Sequence, residues 1–389
     1  MIKISKIITN LLIIGLIIKF IFIFIDQSYF SLYEEEVGSN KIFYFRYFAD
    51  ILLVSSGLLA IIFEGVSFER KLINRFYLLV FIISLVYIFS GASFFDFSTL
   101  FGSKGIAPIA IMSILFTGSN KLRVKYVSRL ILVFGILLSF FAILILSSIV
   151  VTFDRNLLIS NMILINLNLM WISFYLFTLF GSNYKKIAVS IFSVSLVISL
   201  FTSTRSFILM HLIFIFYYNL KSSKVKLLTS ISTILVGIIS YVYFSASSFF
   251  SNAFSQVGNR FNDDTRSDQL LQFFLQIEFS EILFGAGSFA YWEWDGRVYQ
   301  YLDNQILLMS WWAGIFPTII YLSFFVIAFK RFFFKRNISK EYNFISLLIL
   351  FWILALLGLS VYTSISSSLV HCLIIFYTGV LFSKNKYVF

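Results

Sequence analysis

LILVFGILLSFFAILILSSIVV, residues 130–151, runs for 22 residues without one charge. About 20 apolar residues cover roughly 30 Å of hydrocarbon as a helix, and this stretch lacks the period-2 alternation of a barrel strand. Backbone in lipid must satisfy its own hydrogen bonds, so the stretch reads as a transmembrane helix. Comparable apolar stretches lie near 7–25, 43–63, 76–91, 105–118, 160–181, 187–202, 207–220, 227–244, 304–328, 343–362 and 366–383. The pattern predicts an all-α polytopic integral membrane protein of about 12 transmembrane helices. It forms a single domain over 1–389, with one large loop at 245–303 containing short amphipathic helices.

Composition agrees. Of 389 residues, 60% are hydrophobic and 12% charged, whereas soluble domains keep about a quarter charged. With 51 Phe but only 2 Pro and 18 Gly, the chain is neither a disordered linker nor a fibrous repeat. Its single cysteine, Cys372, allows no disulfide within the chain and no thiolate metal cluster. The net charge of +12 follows topology rather than nucleic-acid binding. On an even number of spans, 21 of the 30 Lys and Arg fall on the side of the termini, against only Glu64, Glu69 and Glu341. The positive-inside rule makes that side cytoplasmic and turns the 245–303 loop outward. A basic start before the first span also suits a secretory signal, but no small-residue cleavage site lies near Phe30, so that span is expected to be retained. Lys19, within it, is expected to snorkel outward.

In so apolar a chain the polar groups near the membrane carry the information. Residues 260–303 hold eight of the 18 acids together with Arg260, Arg266 and Arg297. RSDQLLQFFLQIEF, 266–279, places Leu270, Phe273, Phe274 and Ile277 at helical spacing, the pattern of an interfacial amphipathic helix. In LFGAGSFAYWEWDGR, 283–297, Gly285 and Gly287 permit close backbone approach. Tyr291, Trp292 and Trp294 offer faces for sugar rings, or equally an aromatic belt at the interface. Arg205 sits in the tight outward turn FTSTRSFILM, 201–210, where its planar fork suits a phosphate; snorkelling to lipid headgroups is the alternative. Arg46 and Asp50, four apart, are expected to pair on one helix face. His211 and His371 read as packing residues first and as base candidates second.

Walker, GxGxxG, HExxH and GxSxG signatures are absent, and no DxD cluster lies on the outward side. A nucleotide-sugar reaction with bound Mg²⁺ therefore has no support, and the expected cofactor set is none. A reaction on the outward face needs a substrate that arrives already activated.

Three segments carry a resemblance to a known family: STRSF at 203–207, NDDTRSDQLLQFFLQIEFSEILFGAG at 262–287, and DNQILLMSWWAGIFPTIIYL at 303–322. In that order and topology they resemble the bacterial O-antigen polymerases, the Wzy proteins, of the O-antigen polymerase and ligase superfamily. Asp303 stands where the ligases are expected to carry His, which favours polymerase over ligase. The resemblance implies a glycosyltransferase of the bacterial inner membrane, with both termini cytoplasmic and the active site facing the periplasm. Its substrate would be undecaprenyl-diphosphate-linked oligosaccharide, and a Wzz-type chain-length regulator would be a partner.

On that reading an acceptor hydroxyl attacks the donor's anomeric carbon as the diphosphate leaves, with inversion. Arg205 and Arg266 would hold the departing diphosphate with support from Arg260. Asp303 is the first choice of base, followed by Asp264, Asp268 and His371. Trp292, Trp294, Arg297, Tyr299 and Asn304 are candidate substrate contacts. A flippase for the same lipid-linked oligosaccharide is the alternative from another class. Against it stand the absence of two related halves and the concentration of polar residues in one loop. A structural subunit that docks a partner through its acidic loop is a third.

Overall fold

The computed structural model describes residues 2–30, 42–90, 109–149, 155–179, 185–202, 205–222, 265–287, 289–299, 302, 304–333, 340–358 and 369–384. The expected crossing at 227–244 and the candidates Arg260, Asp264 and Asp303 lie outside these residues.

The described chain is a helical bundle. It opens with α1 (Ile2–Phe30), α2 (Ile42–Glu64), α3 (Arg70–Phe89), a 3-10 helix at Ile111–Ser119, α4 (Lys121–Ile149), α5 (Arg155–Leu179), α6 (Lys185–Phe201) and α7 (Arg205–Ser222). Then come α8 (Thr265–Gln276), α9 (Phe279–Phe284), strands β1 (Trp292–Trp294) and β2 (Arg297–Tyr299), α10 (Gln305–Ala313), α11 (Ile315–Phe333), α12 (Lys340–Gly358) and α13 (Leu369–Phe382). Segments of the first four α-helices are long and apolar enough to cross a membrane, and shorter apolar helices follow in α5, α6, α11, α12 and α13.

The bundle is inside-out by the standards of a protein in water. Phe81, Phe89 and Phe140 are exposed, while Lys19, Asp50, Arg123, His211 and His371 are fully buried. Lipid explains the outer apolar surface, and the buried polar groups then require partners. At the end of the bundle carrying the 3-10 turn before α3, Arg123 on α4 is held by Glu64 and donates to the Thr117 carbonyl at 2.9 Å. It also donates to the Thr9 and Ser5 hydroxyls, both at 3.3 Å. One guanidinium thus ties α1, α2, α4 and the 3-10 helix together. Across the bundle, His211 Nδ1 donates to the Phe207 carbonyl at 2.7 Å, and its Nε2 lies 3.1 Å from the Ser195 hydroxyl. Ser195 in turn donates to Asn166 at 2.9 Å, which joins α5, α6 and α7 and gives His211 the packing role expected of it.

Small residues set the closest approaches, as they do where van der Waals packing must join helices in lipid. A Cβ on Gly15 would meet Leu53 Cγ at 2.7 Å, so α1 and α2 lie in tight contact. Gly57 on α2 faces Ser113, and Gly379 on α13 faces the Leu115 carbonyl, so the 3-10 helix is clasped from two sides. All nine of its residues are buried, as is every residue of α13 and of α5 from Ile165 to Leu176. Helices apolar all round belong at the centre, and these occupy it.

Near 105–118 the described residues from 111 on belong to the 3-10 helix, whose nine residues cover ~18 Å at about 2.0 Å rise. The stretch expected to run unbroken over 304–328 is interrupted at Gly314, which separates α10 from α11 at φ +93.

Gly379→Ala drives a methyl into the Leu115 carbonyl, with backbone on both sides and little room to relax. Overpacking of this kind costs about 1 to 3 kcal/mol. Thermal unfolding of the purified protein in detergent is expected to show that loss, and an unchanged midpoint would refute the clasp.

Candidate functional site opposite the basic turn

The segment after α8 is built onto the far end of the bundle. Twenty helical residues of α3 separate the basic turn at Arg70 from Ser90, which caps the other end. Gly287 lies against that Ser90, where a Cβ would sit 2.6 Å from the hydroxyl. The segment therefore sits at the end of the bundle opposite the basic turn.

Its backbone is held by the broken helix. The last carbonyls of a helix lack partners of their own. Here Ala286 N–H donates to the Trp311 carbonyl at 2.6 Å and Gly287 N–H to the Trp312 carbonyl at 3.1 Å. Gly285 and Gly314 make the crossing possible, since a Cβ on either would lie within 3.0 Å of the other strand's backbone. The glycines of LFGAG thus serve close approach, as expected, and what they approach is the end of α10.

Above this crossing, α8 lays Phe273 edge-on to Trp292 at 5.5 Å and to Trp311 at 5.2 Å. Leu271, Phe274 and Leu275 stay exposed on its other side, as an interfacial helix requires. Trp292 begins a two-stranded hairpin whose turn, Asp295–Gly296, has φ of 51 and 70. That is the geometry an Asp-Gly turn favours. Gln276 extends the hairpin: its amide accepts from Glu293 N–H at 2.8 Å and donates to the Glu293 carbonyl at 2.6 Å.

These elements enclose a cleft of about 470 Å³. Its walls carry Gln276, Glu281, Tyr291, Trp292, Glu293 and Trp311, with Ser90 at one edge. Glu281 is half-buried and accepts from Trp311 Nε1 at 3.4 Å. Carboxylates beside aromatic faces, in a pocket of this volume, suit a polyhydroxylated ring.

Of the described sequence candidates, Trp292 is the one that lines this cleft. Arg205 is the first residue of α7 and Arg266 the second of α8. Asp268 is exposed on α8. Trp292 lines the cleft but is buried, with Tyr299 at 5.7 Å; Trp294 and Tyr299 are half-buried at 5.8 Å from each other, and Arg297 lies in β2. Asn304 is the N-cap of α10, its side chain accepting from Leu307 N–H at 3.0 Å, a structural duty the sequence reading did not assign. His371 is away from the cleft, buried near the start of α13 between Trp352 at 5.4 Å and Tyr321 at 6.2 Å. Glu281 and Gln276 were not singled out from sequence; only the helix stop at Gly285 and the Asp-Gly turn could have placed them beside the aromatic cluster. Among the described residues no three metal-ligating side chains gather.

Inside the bundle one expectation is overturned. Lys19 does not snorkel: it is fully buried on α1 with its ammonium 2.5 Å from Asp50 Oδ1 on α2. Asp50 therefore pairs across helices with Lys19, while the side chain of Arg46 lies outside the described residues. The helix that carries His371 and Cys372, α13, packs against α1, so the ion pair lies beside that helix.

Asp50→Asn or Lys19→Met alone strands one buried charge and is expected to cost about 3 to 5 kcal/mol, while the double variant Lys19→Met/Asp50→Leu recovers most of it. Thermal unfolding of the three proteins reads this out; additive losses would show that the two charges do not interact. Set beside known protein families, curated proteins and solved structures, the chain matches none.

Proposed function

We propose that this protein is a polymerase of lipid-linked oligosaccharides, acting at the outer face of a bacterial inner membrane with about twelve crossings and cytoplasmic termini. The observation that carries the reading is the cleft of carboxylates and aromatic rings, built from the segment that Arg266 opens. Glycosyl transfer there needs no nucleotide. The oxygen of an acceptor hydroxyl forms a bond to the anomeric carbon of the donor chain, and its proton passes to a carboxylate. The bond from that carbon to the diphosphate breaks, and the diphosphate departs with the electron pair and its undecaprenyl tail. Attack opposite the leaving group inverts the centre.

Arg205 and Arg266 stand in the first turns of their helices, where the helix dipole is already positive. Cations there oppose helix stability and favour an anion, the charge that develops on a leaving diphosphate. Glu281, half-buried in the cleft, joins Asp303 as a base candidate. A chain-length regulator remains the expected partner.

The second reading, transport of the same lipid-linked unit, is favoured by one observation: the Lys19–Asp50 pair buried in the bundle beside His371. Intramembrane charges often mark a translocation path.

Arg205→Ala and Arg266→Ala are each expected to lower polymer formation from purified lipid-linked repeat units by about 100- to 1000-fold, with Lys rescuing poorly. Glu281→Gln is expected to lower it as well. Full-length polymer from both Arg variants at normal protein levels would remove the arginines from the mechanism. Translocation without any polymer from the parent protein would replace this reading with transport.

A further inference from the structure

At the opposite end of the bundle a second cleft, of about 370 Å³, opens between the start of α3 and the ends of α11 and α13. It is lined by Lys71, Arg75 and Lys330, with Glu69 at the rim and Leu72, Ile327 and Phe382 forming its apolar wall. The three cations are exposed, and none makes an ion pair or hydrogen bond among the described residues. The site is held in shape from one side. Lys384, just past α13, donates from its backbone N–H to the Ser67 carbonyl and from Nζ to the Val66 carbonyl, both at 3.2 Å.

Three uncompensated cations around one carboxylate call for an anion. The neighbouring side chains say which kind. Lys71, Arg75 and Leu78 follow at i+4 and i+3 along one face of α3, and Lys330 and Val326 share a face of α11. Leu78 and Val326 are both exposed. Each basic row therefore runs directly into an open apolar row toward the middle of the bundle. A ligand that satisfies both parts has a phosphate at one end and hydrocarbon at the other.

We propose that this cleft binds the headgroup phosphate of an anionic membrane phospholipid, with its acyl chain lying along α3 and α11. The site is separate from the outer cleft and does not depend on the function proposed for that cleft. Lys71, Arg75 and Lys330 surround the phosphate, and the Leu72, Ile327 and Phe382 wall meets the glycerol and the first methylenes. A soluble phosphate would gain the first set of contacts and not the second.

The test is a titration of the purified full chain in neutral detergent with dioleoylphosphatidylglycerol, read by native mass spectrometry, with dioleoylphosphatidylcholine in parallel. Phosphatidylglycerol is expected to bind in preference. The variant Lys71→Gln/Arg75→Gln/Lys330→Gln should weaken that binding on the order of 100-fold, because each cation near the surface contributes about fivefold. The matched variant Lys121→Gln/Lys125→Gln/Arg129→Gln removes three exposed cations from the start of α4, outside the cleft, and should leave binding unchanged. All six side chains are exposed, so both variants keep the fold, which circular dichroism checks. Equal weakening in the two triple variants, or no preference for the anionic lipid, would overturn the proposal. Glycerol phosphate displacing the lipid at equal concentration would overturn it too, by making the site one for free anions.

Discussion

Charge inside hydrocarbon has to be partnered, and in this bundle two ion pairs set the register of the helices around them. Lys19 meets Asp50 between α1 and α2. Fourteen residues away along each helix, Ser5 and Glu64 converge on the same nitrogen of Arg123. Fourteen residues is close to four turns, so both polar layers fall on one face of each helix, about 21 Å apart. A slip of one residue would turn those groups about 100° away and leave buried charges unpaired. Gly15, in contact with Leu53, lies between the layers and lets the backbones close. Everything that packs on α1 and α2 inherits this alignment: the 3-10 helix through Gly57, α13 through the 3-10 helix, and α4 through Arg123.

The layers divide the molecule functionally as well as mechanically. The Arg123 layer joins hydroxyls, a carbonyl and a carboxylate at one end of the bundle and has every mark of a structural lock. The Lys19 layer lies nearer the cleft of α8 and the hairpin, beside the helix whose histidine is set between Trp352 and Tyr321. A buried ion pair adds little stability over a packed apolar pair, so its presence calls for a reason other than strength. Specifying the register is one. Carrying charge for a translocated substrate is the other, and the polymerase and transport readings part at this point.

Much of the fold was legible in the residues because lipid imposes a simple rule on composition. The long helices, the amphipathic α8 and the close approach at Gly285 and Gly287 followed from periodicity and glycine placement alone. What escaped was decided by tertiary partners. Asp50 meets Lys19, thirty-one residues back in sequence, because Gly15 brings the helices together. The break at Gly314 is invisible to hydropathy: QILLMSWWAGIFPTIIYL carries no charge and is mostly apolar, and only the LFGAG backbone crossing it makes a left-handed glycine favourable. The hairpin carried its own signal, Asp-Gly between alternating aromatic residues, and Trp292 and Tyr299 stand opposite each other across the paired strands. Asn304 read as a polar contact and is a helix cap.

The crossing at Gly285 and Gly314 bears most directly on the outer cleft. Had α10 and α11 been one helix, the carbonyls of Trp311 and Trp312 would have been used internally, and the LFGAG segment would have had nothing to bind. The break frees them, and Ala286 and Gly287 take them up. Trp311, on the last turn of α10, then serves two surfaces at once: its ring seats Phe273 of α8 and its indole nitrogen donates to Glu281 of α9. The cleft is therefore continuous with the membrane helices through hydrogen-bonded backbone, and its walls do not depend on loop packing alone. For a reaction in which two lipid-anchored substrates must meet, such rigidity has a physical use. In the polymerisation proposed above both tails would be confined to the bilayer, so a cleft fixed in height above the hydrocarbon would receive both sugars at a defined level. Orientation of that kind lowers the entropic barrier before any acid, base or arginine acts.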